Sequence, residues 1–199
     1  KHPDFHSESS DVPVWSADGR RVFYTAKVGE SVELMRVELD GTATPLTKSK
    51  PGTRHYHPAA SPDGKFVASV ADDMLCKVWD AATGKLVHTL KGHSERTPNN
   101  FPSMLYAVAY SADGKYLATG DKVGHVVVWD ARTGQELHTL IAVHAGSVYS
   151  VAFIPDGRRL ASFSDFGTVK VWDARTGAEK AAWLFPPLPP APPPRALER

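Results

Sequence analysis

An eighteen-residue stretch occurs three times in this chain, and that recurrence limits the fold more than any single motif does. Its last copy, Leu160 to Gly177, reads Leu-Ala-Ser-Phe-Ser-Asp-Phe-Gly-Thr-Val-Lys-Val-Trp-Asp-Ala-Arg-Thr-Gly, and its counterparts run from Val67 to Gly84 and from Leu117 to Gly134. In every copy an Asp-Gly turn (Asp63-Gly64, Asp113-Gly114, Asp156-Gly157) stands sixteen residues ahead of a Trp-Asp pair (Trp79-Asp80, Trp129-Asp130, Trp172-Asp173). Between these landmarks lie two apolar runs separated by a polar turn, the pattern of a β-hairpin. Side chains on a strand alternate between faces, so Cys76/Val78, Val126/Val128 and Val169/Val171 are expected to share one face, with the Trp on the other.

A divergent repeat precedes the three. It runs from Pro13-Val-Trp15-Ser-Ala-Asp-Gly19 through Arg21 to Thr25, Ser31 to Leu39 and Thr44 to Thr47, with an Asp40-Gly41 turn and no Trp-Asp. The turn aspartates Asp18, Asp63, Asp113 and Asp156 are 45, 50 and 43 residues apart. After each Trp-Asp, Ala-x-Thr-Gly leads into a fourth run such as Lys85 to Leu90. Units of about 40 to 45 residues with four strands each are propeller blades. The expectation is an all-β chain, a β-propeller of four-stranded antiparallel blades at about 11–50, 54–92, 104–143 and 146–185, and an incomplete, open ring. Residues 1–10 are expected to be a disordered end. Residues 186–199 form a Pro-rich tail, which forbids a ladder strand and favours polyproline II.

Composition excludes several classes. With 42% hydrophobic and 23% charged residues the chain has enough apolar material for a core, and a net charge of +1 offers no general pull toward nucleic acid. No apolar run approaches the roughly 20 residues that span a bilayer, so no membrane partner is expected. The sole cysteine, Cys76, stands where its sister copies have Val126 and Val169 and reads as a small buried hydrophobe. Beginning at Lys1 rather than Met, the chain is expected to be a fragment cut at its N-terminus. That leaves the compartment open, with the cytoplasm as default.

The three Trp-Asp pairs, Gly92-His93 and Ser61-Pro-Asp-Gly64 together resemble the WD-repeat (WD40) propellers, over residues 54 to about 185. The first repeat and Pro58 to Gly64 look more like TolB-type repeats. The WD-repeat resemblance implies a hydrogen-bonded set within each blade, formed by a His before the inner strand, a Ser or Thr on the second, an Asp in the next turn and the Trp. On this sequence it maps to Trp79, Trp129 and Trp172, to Ser69, Thr119 and Ser162 ten residues before them, and to His93 and His144. Only Asp73 matches the turn Asp, since Val123 and Phe166 occupy the later positions with Asp121 and Asp165 displaced. In the second repeat His55 and His57 stand too close to the turn to serve.

No residue set nominates chemistry. His55 and His57 would put two imidazoles on one strand face without a third metal ligand, His88 and His138 are equivalent repeat positions, and Asp80, Asp130 and Asp173 belong to different blades. No G-x-S-x-G elbow, phosphate loop or H-E-x-x-H is present, so no catalytic residue, cofactor or metal is expected.

Two functions follow. One is a non-catalytic scaffold for a protein or peptide partner; the other is the propeller of a larger enzyme, a serine peptidase or protein kinase. From His93 to Asp113 there are twenty residues against twelve from His144 to Asp156, an excess around Ser94 to Leu105. By the same resemblance this connection opens on the face most used for partners. Phe101, Met104 and Leu105 would form an apolar anchor there, and Glu95, Arg96, Asn99 and Asn100 a polar rim. The competing reading makes Leu105 the start of the inner strand and the rest spacer. Uncovered faces on the outermost blades are expected to promote self-association.

Overall fold

The computed structural model describes residues 13–93, 103–141 and 143–184, and none of these is helical. They form four antiparallel sheets, each a meander of four consecutive strands. The first holds β1 (Val14–Trp15), β2 (Arg21–Val28), β3 (Ser31–Glu38) and β4 (Ala43–Pro45). The second holds β5 (His55–Ala60), β6 (Phe66–Ala71), β7 (Cys76–Asp80) and β8 (Leu86–Leu90). The third holds β9 (Leu105–Tyr110), β10 (Tyr116–Asp121), β11 (Val126–Asp130) and β12 (Glu136–Leu140), and the fourth β13 (Val148–Phe153), β14 (Arg159–Ser164), β15 (Thr168–Asp173) and β16 (Glu179–Leu184). This is the blade architecture of a β-propeller. The N-terminal ten residues and the Pro-rich tail lie outside the described residues.

Each turn explains its own sequence. In the first three sheets a serine hydroxyl (Ser16, Ser61, Ser111) donates to the aspartate two residues on and accepts the N–H five residues on, locking the inner hairpin. Asp80, Asp130 and Asp173 each accept two backbone N–H bonds and a threonine hydroxyl from their own Ala-x-Thr-Gly turn. Those donors hold all three carboxyls below the usual carboxylate range.

Between sheets the alternation of side chains becomes packing. Cys76 and Val78 face the third sheet and meet Leu105, Leu117, Val127 and Trp129. Val126 and Val128 do the same against Val148, Leu160 and Trp172. Trp129 and Trp172 thus cover the Cys/Val faces of their preceding blades, and Trp79 packs likewise on Phe23, Leu34 and Leu46 of the first. Cys76 is fully buried, and burial pushes its thiol well up. Phe163, Val169 and Trp183 lie side by side across the fourth sheet, where Phe163 is 42% and Trp183 52% exposed.

A polar stitch accompanies every apolar contact. Arg36 donates to the carbonyl of Ala82, His88 Nε2 to that of Arg132 at 3.2 Å and His138 Nε2 to that of Arg175 at 2.7 Å. The three carbonyls occupy the same place in successive Ala-x-Thr-Gly turns. The glycine of the turn must therefore be bare: a Cβ on Gly134, already at φ +72°, would stand 3.1 Å from the His88 ring.

Candidate functional site

The buried polar groups of the blades are tied into three proton-ordered chains. In the third blade Trp129 Nε1–H donates to Thr119 Oγ1 at 2.9 Å, which leaves the threonine proton for His93 Nε2 at 2.7 Å. His93 Nδ1–H then donates to Asp121 Oδ2 at 2.9 Å, and His125 Nδ1 stands 3.2 Å from the same oxygen. Burial alone would raise the Asp121 carboxyl, yet the bonds from His125 and His93 hold it far below the usual range. The turn position six residues before the Trp is not used here. Asp121 reaches the imidazole from the end of β10, where it pairs with Leu105 just past a register shift.

The fourth blade replaces the carboxylate by hydroxyls. Trp172 Nε1–H donates to Ser162 Oγ at 2.9 Å, and Ser162 bonds His144 Nε2 at 2.7 Å. His144 Nδ1 meets Thr168 Oγ1 at 2.8 Å, which in turn meets Ser164. Asp165 takes no part in this chain.

The second blade corrects two expectations. Asp73 is engaged away from Trp79: from the turn before β7 it accepts the Leu75 N–H and pairs with Lys77, four residues along. The imidazole is His55, which sits on β5 itself, paired with Ala71, at the place Leu105 and Val148 fill in the later blades. Trp79 Nε1–H donates to Ser69 Oγ at 3.1 Å, Ser69 bonds His55 Nδ1 at 3.1 Å, and His55 Nε2 bonds Ser49 Oγ at 2.9 Å. Ser49 and Thr47 both end on Glu33 of the preceding blade. Burial would raise Glu33, but the hydroxyl of Thr47 and the N–H and hydroxyl of Ser49 win and lower it. Burial lowers His55 and His144, so both stay neutral in the fold.

These assignments also dispose of the two-imidazole pair. The register shifts between Tyr56 and Ala59, and His57 takes φ 41°, so His55 and His57 do not share a face. Among the described residues no three His, Cys, Asp or Glu side chains form a metal-binding group.

The connection from β8 to β9 has both feet fixed. His93 is held as above, and at the far end Ser103 and Leu105 are wholly buried. Leu105 packs in the core beside Trp129, which removes it from the proposed apolar anchor. Met104 is half-buried, and its sulfur accepts the Tyr106 hydroxyl at 3.8 Å. Glu95, Arg96, Asn99, Asn100 and Phe101 lie outside the described residues.

Sequence reading missed an aromatic feature beside that connection. Tyr56, Tyr106 and Tyr149 are each the second residue of an inner strand, and each stands seven residues before its Asp-Gly turn, which is the signal that marks them. Their rings form a ladder: Tyr106 and Tyr149 stack at 5.3 Å between centroids, and Tyr56 meets Tyr106 edge-on at 6.4 Å. The ladder borders a central cleft of about 180 Å³ lined by residues of all four inner strands, among them Val14, Pro58, Val108 and Val151. On the opposite face a cavity of about 490 Å³ lies between the second and third blades, lined by Phe66, Val87, Tyr110 and Arg132.

Comparison with known sequences places these blades. The model of the nucleolar protein 10-like N-terminal domain, a β-propeller family, matches residues 23–187. The general transcriptional corepressor TUP1 of Saccharomyces cerevisiae is 41% identical over 51 residues, 25% of this chain and 7% of that protein. The chain thus spans a small part of that relative.

Proposed function

Because this chain belongs to the nucleolar protein 10-like N-terminal domain family, a family of β-propellers, we propose that it is a non-catalytic scaffold that binds a protein or peptide partner at the face where its inner strands begin. The observation that supports this most is how the buried polar groups are used. Each imidazole of the three chains has both nitrogens bonded to neighbours that hold a blade together. Groups so engaged maintain a frame, and recognition falls to what the frame displays.

On that face stands the connection from His93 to Leu105, eight residues longer than its counterpart in the fourth repeat. Buried residues at both ends of this stretch give it a rigid base, and Glu95, Arg96, Asn99, Asn100, Phe101 and Met104 are the proposed contact residues. Neither the family's description nor the relative's name denotes an enzyme, which lends no support to a propeller appended to a peptidase or kinase.

The test replaces Ser94 to Pro102 with a short Gly-containing turn. The melting temperature should stay close to that of the parent, while affinity for a purified partner first captured by the parent should fall at least tenfold, about 1.4 kcal/mol. Equal affinity in the shortened protein would move the binding surface elsewhere.

A further inference from the structure

We propose that the cavity of about 490 Å³ between the second and third blades binds a small aromatic monocarboxylic acid, with the ring among Phe66, Val78, Val87 and Tyr110 and the carboxylate on the Arg132 guanidinium. The volume falls within the range of about 300–1,000 Å³ usual for small-molecule sites. The cavity lies on the face opposite the partner loop, and its test needs no partner, so either reading can fail alone.

The repeats explain why there is room here. At the boundary between the third and fourth blades, Tyr116 and Phe153 hold the places of Phe66 and Tyr110, and their rings stack at 6.4 Å between centroids. Leu137 stands there in place of Val87 and adds a carbon on the outer side. Between the second and third blades Phe66 and Tyr110 form no such stack among the described residues, and the shorter Val87 leaves the wedge between them unfilled.

The lining sorts into an apolar body and a charged rim. Val78 is buried, and Phe66, Tyr110 and Ala131 are half-buried. The Tyr110 hydroxyl has no hydrogen-bond partner, and burial pushes its ionisation far up, which keeps it a donor. A ring with nothing to hold its hydroxyl can turn toward a ligand without losing a bond, so Tyr110 is the wall that adapts. On the rim nearer the inner strands, Asp63 and Asp113 each face a lysine of their own turn, Lys65 at 3.3 Å and Lys115 at 3.2 Å. Arg132, in the turn between β11 and β12, is exposed, and among the described residues no carboxylate forms an ion pair with it. Its neighbour Asp130 is taken up by its own turn. Two carboxylates against three cations leave the mouth one positive charge, which favours an anion, and the guanidinium fork matches the two oxygens of a carboxylate.

The experiment titrates 2-naphthoate into the full chain and follows valine and leucine methyl signals by NMR. Binding predicts saturable shifts at Val78 and Val87 with a midpoint at or below about 1 mM, which a two-ring ligand reaches at ordinary efficiency. The Val128 and Leu137 methyls, at the equivalent places one blade on, should stay still. Arg132→Gln should weaken 2-naphthoate by about five- to tenfold, to the level of the uncharged 2-naphthamide, and leave the amide unchanged. Val87→Trp fills the space from a position that is 41% exposed and should weaken both probes at least about tenfold, read at Val78. If that variant does not fold, Arg132→Gln decides alone, since the Arg132 side chain is exposed. Absence of a saturable shift at Val78 and Val87 overturns the proposal. So does an affinity for 2-naphthoate that Arg132→Gln leaves unchanged, or binding that survives a folded Val87→Trp variant, which would place the probe elsewhere.

Discussion

Thr119→Val is the sharpest probe of the blade chains, because it removes one oxygen and almost no volume. Thr119 is wholly buried, takes the Trp129 N–H and gives its own proton to His93. Valine leaves both groups unsatisfied where no water reaches them. Each orphaned buried group costs about 1–3 kcal/mol, so the variant should lose roughly 2–6 kcal/mol of a total that is about 5–15 kcal/mol for a domain. At about 2–4 °C per kcal/mol for a chain of this size, the melting temperature should fall by about 4–24 °C in a thermal scan. Thr119→Ser is the control: serine stands at the equivalent Ser69 and Ser162 and keeps the oxygen, so it should lose only about 1 kcal/mol for the missing methyl. Adding Trp129→Phe to Thr119→Val should then cost less than the two singles together, since the orphaned N–H goes with the indole. A valine variant melting within about 2 °C of the parent, or no steeper a loss than with serine, would refute the proton-ordered chain as a source of stability.

Three further outcomes are expected. Stability should fall on acidification in two stages: His55 and His144 are held neutral with lowered pKa values, so their contribution is complete above about pH 6.5 and declines below it, and that of Glu33 and Asp121 follows below about pH 4; urea midpoints that rise from pH 7 to pH 6 would contradict the sign. Glu33→Gln sets an amide N–H₂ against donors from Thr47 or Ser49 and should cost about 1–3 kcal/mol, with hydrogen exchange accelerating in the first two blades and not in the fourth. Phe163→Lys with Trp183→Lys charges the exposed far face of the fourth sheet and should reduce self-association in sedimentation; an unchanged distribution would place the contact elsewhere.

How far the fold was legible depends on whether a feature repeats in register. Trp79, Trp129 and Trp172, with their hydroxyls ten residues earlier, sit at fixed offsets because hairpin geometry fixes which residues face one another, as Leu117 faces Trp129. The acids do not keep an offset, and physics shows why: an imidazole needs an acceptor in space. The second blade finds it on Glu33 through Ser49, across a blade boundary, and the third finds it on Asp121 at the end of a strand. His55 escaped notice because it occupies the position of a core leucine or valine. The tyrosines kept their offset from the Asp-Gly turns, but nothing in a linear pattern says that equivalent residues of neighbouring blades touch.

The stitches of Arg36, His88 and His138 all run in one direction, from the third or fourth strand of an earlier blade to a turn of the next. The tryptophans follow the same sense, each seating on the blade already made. A chain growing from its N-terminus therefore offers every newly synthesised blade a finished template, and no blade has to wait for sequence not yet translated before its Trp-bearing face is covered. Covering therefore runs from each blade to the one before it, and in the fourth sheet, among the described residues, the Phe163 and Trp183 face remains exposed.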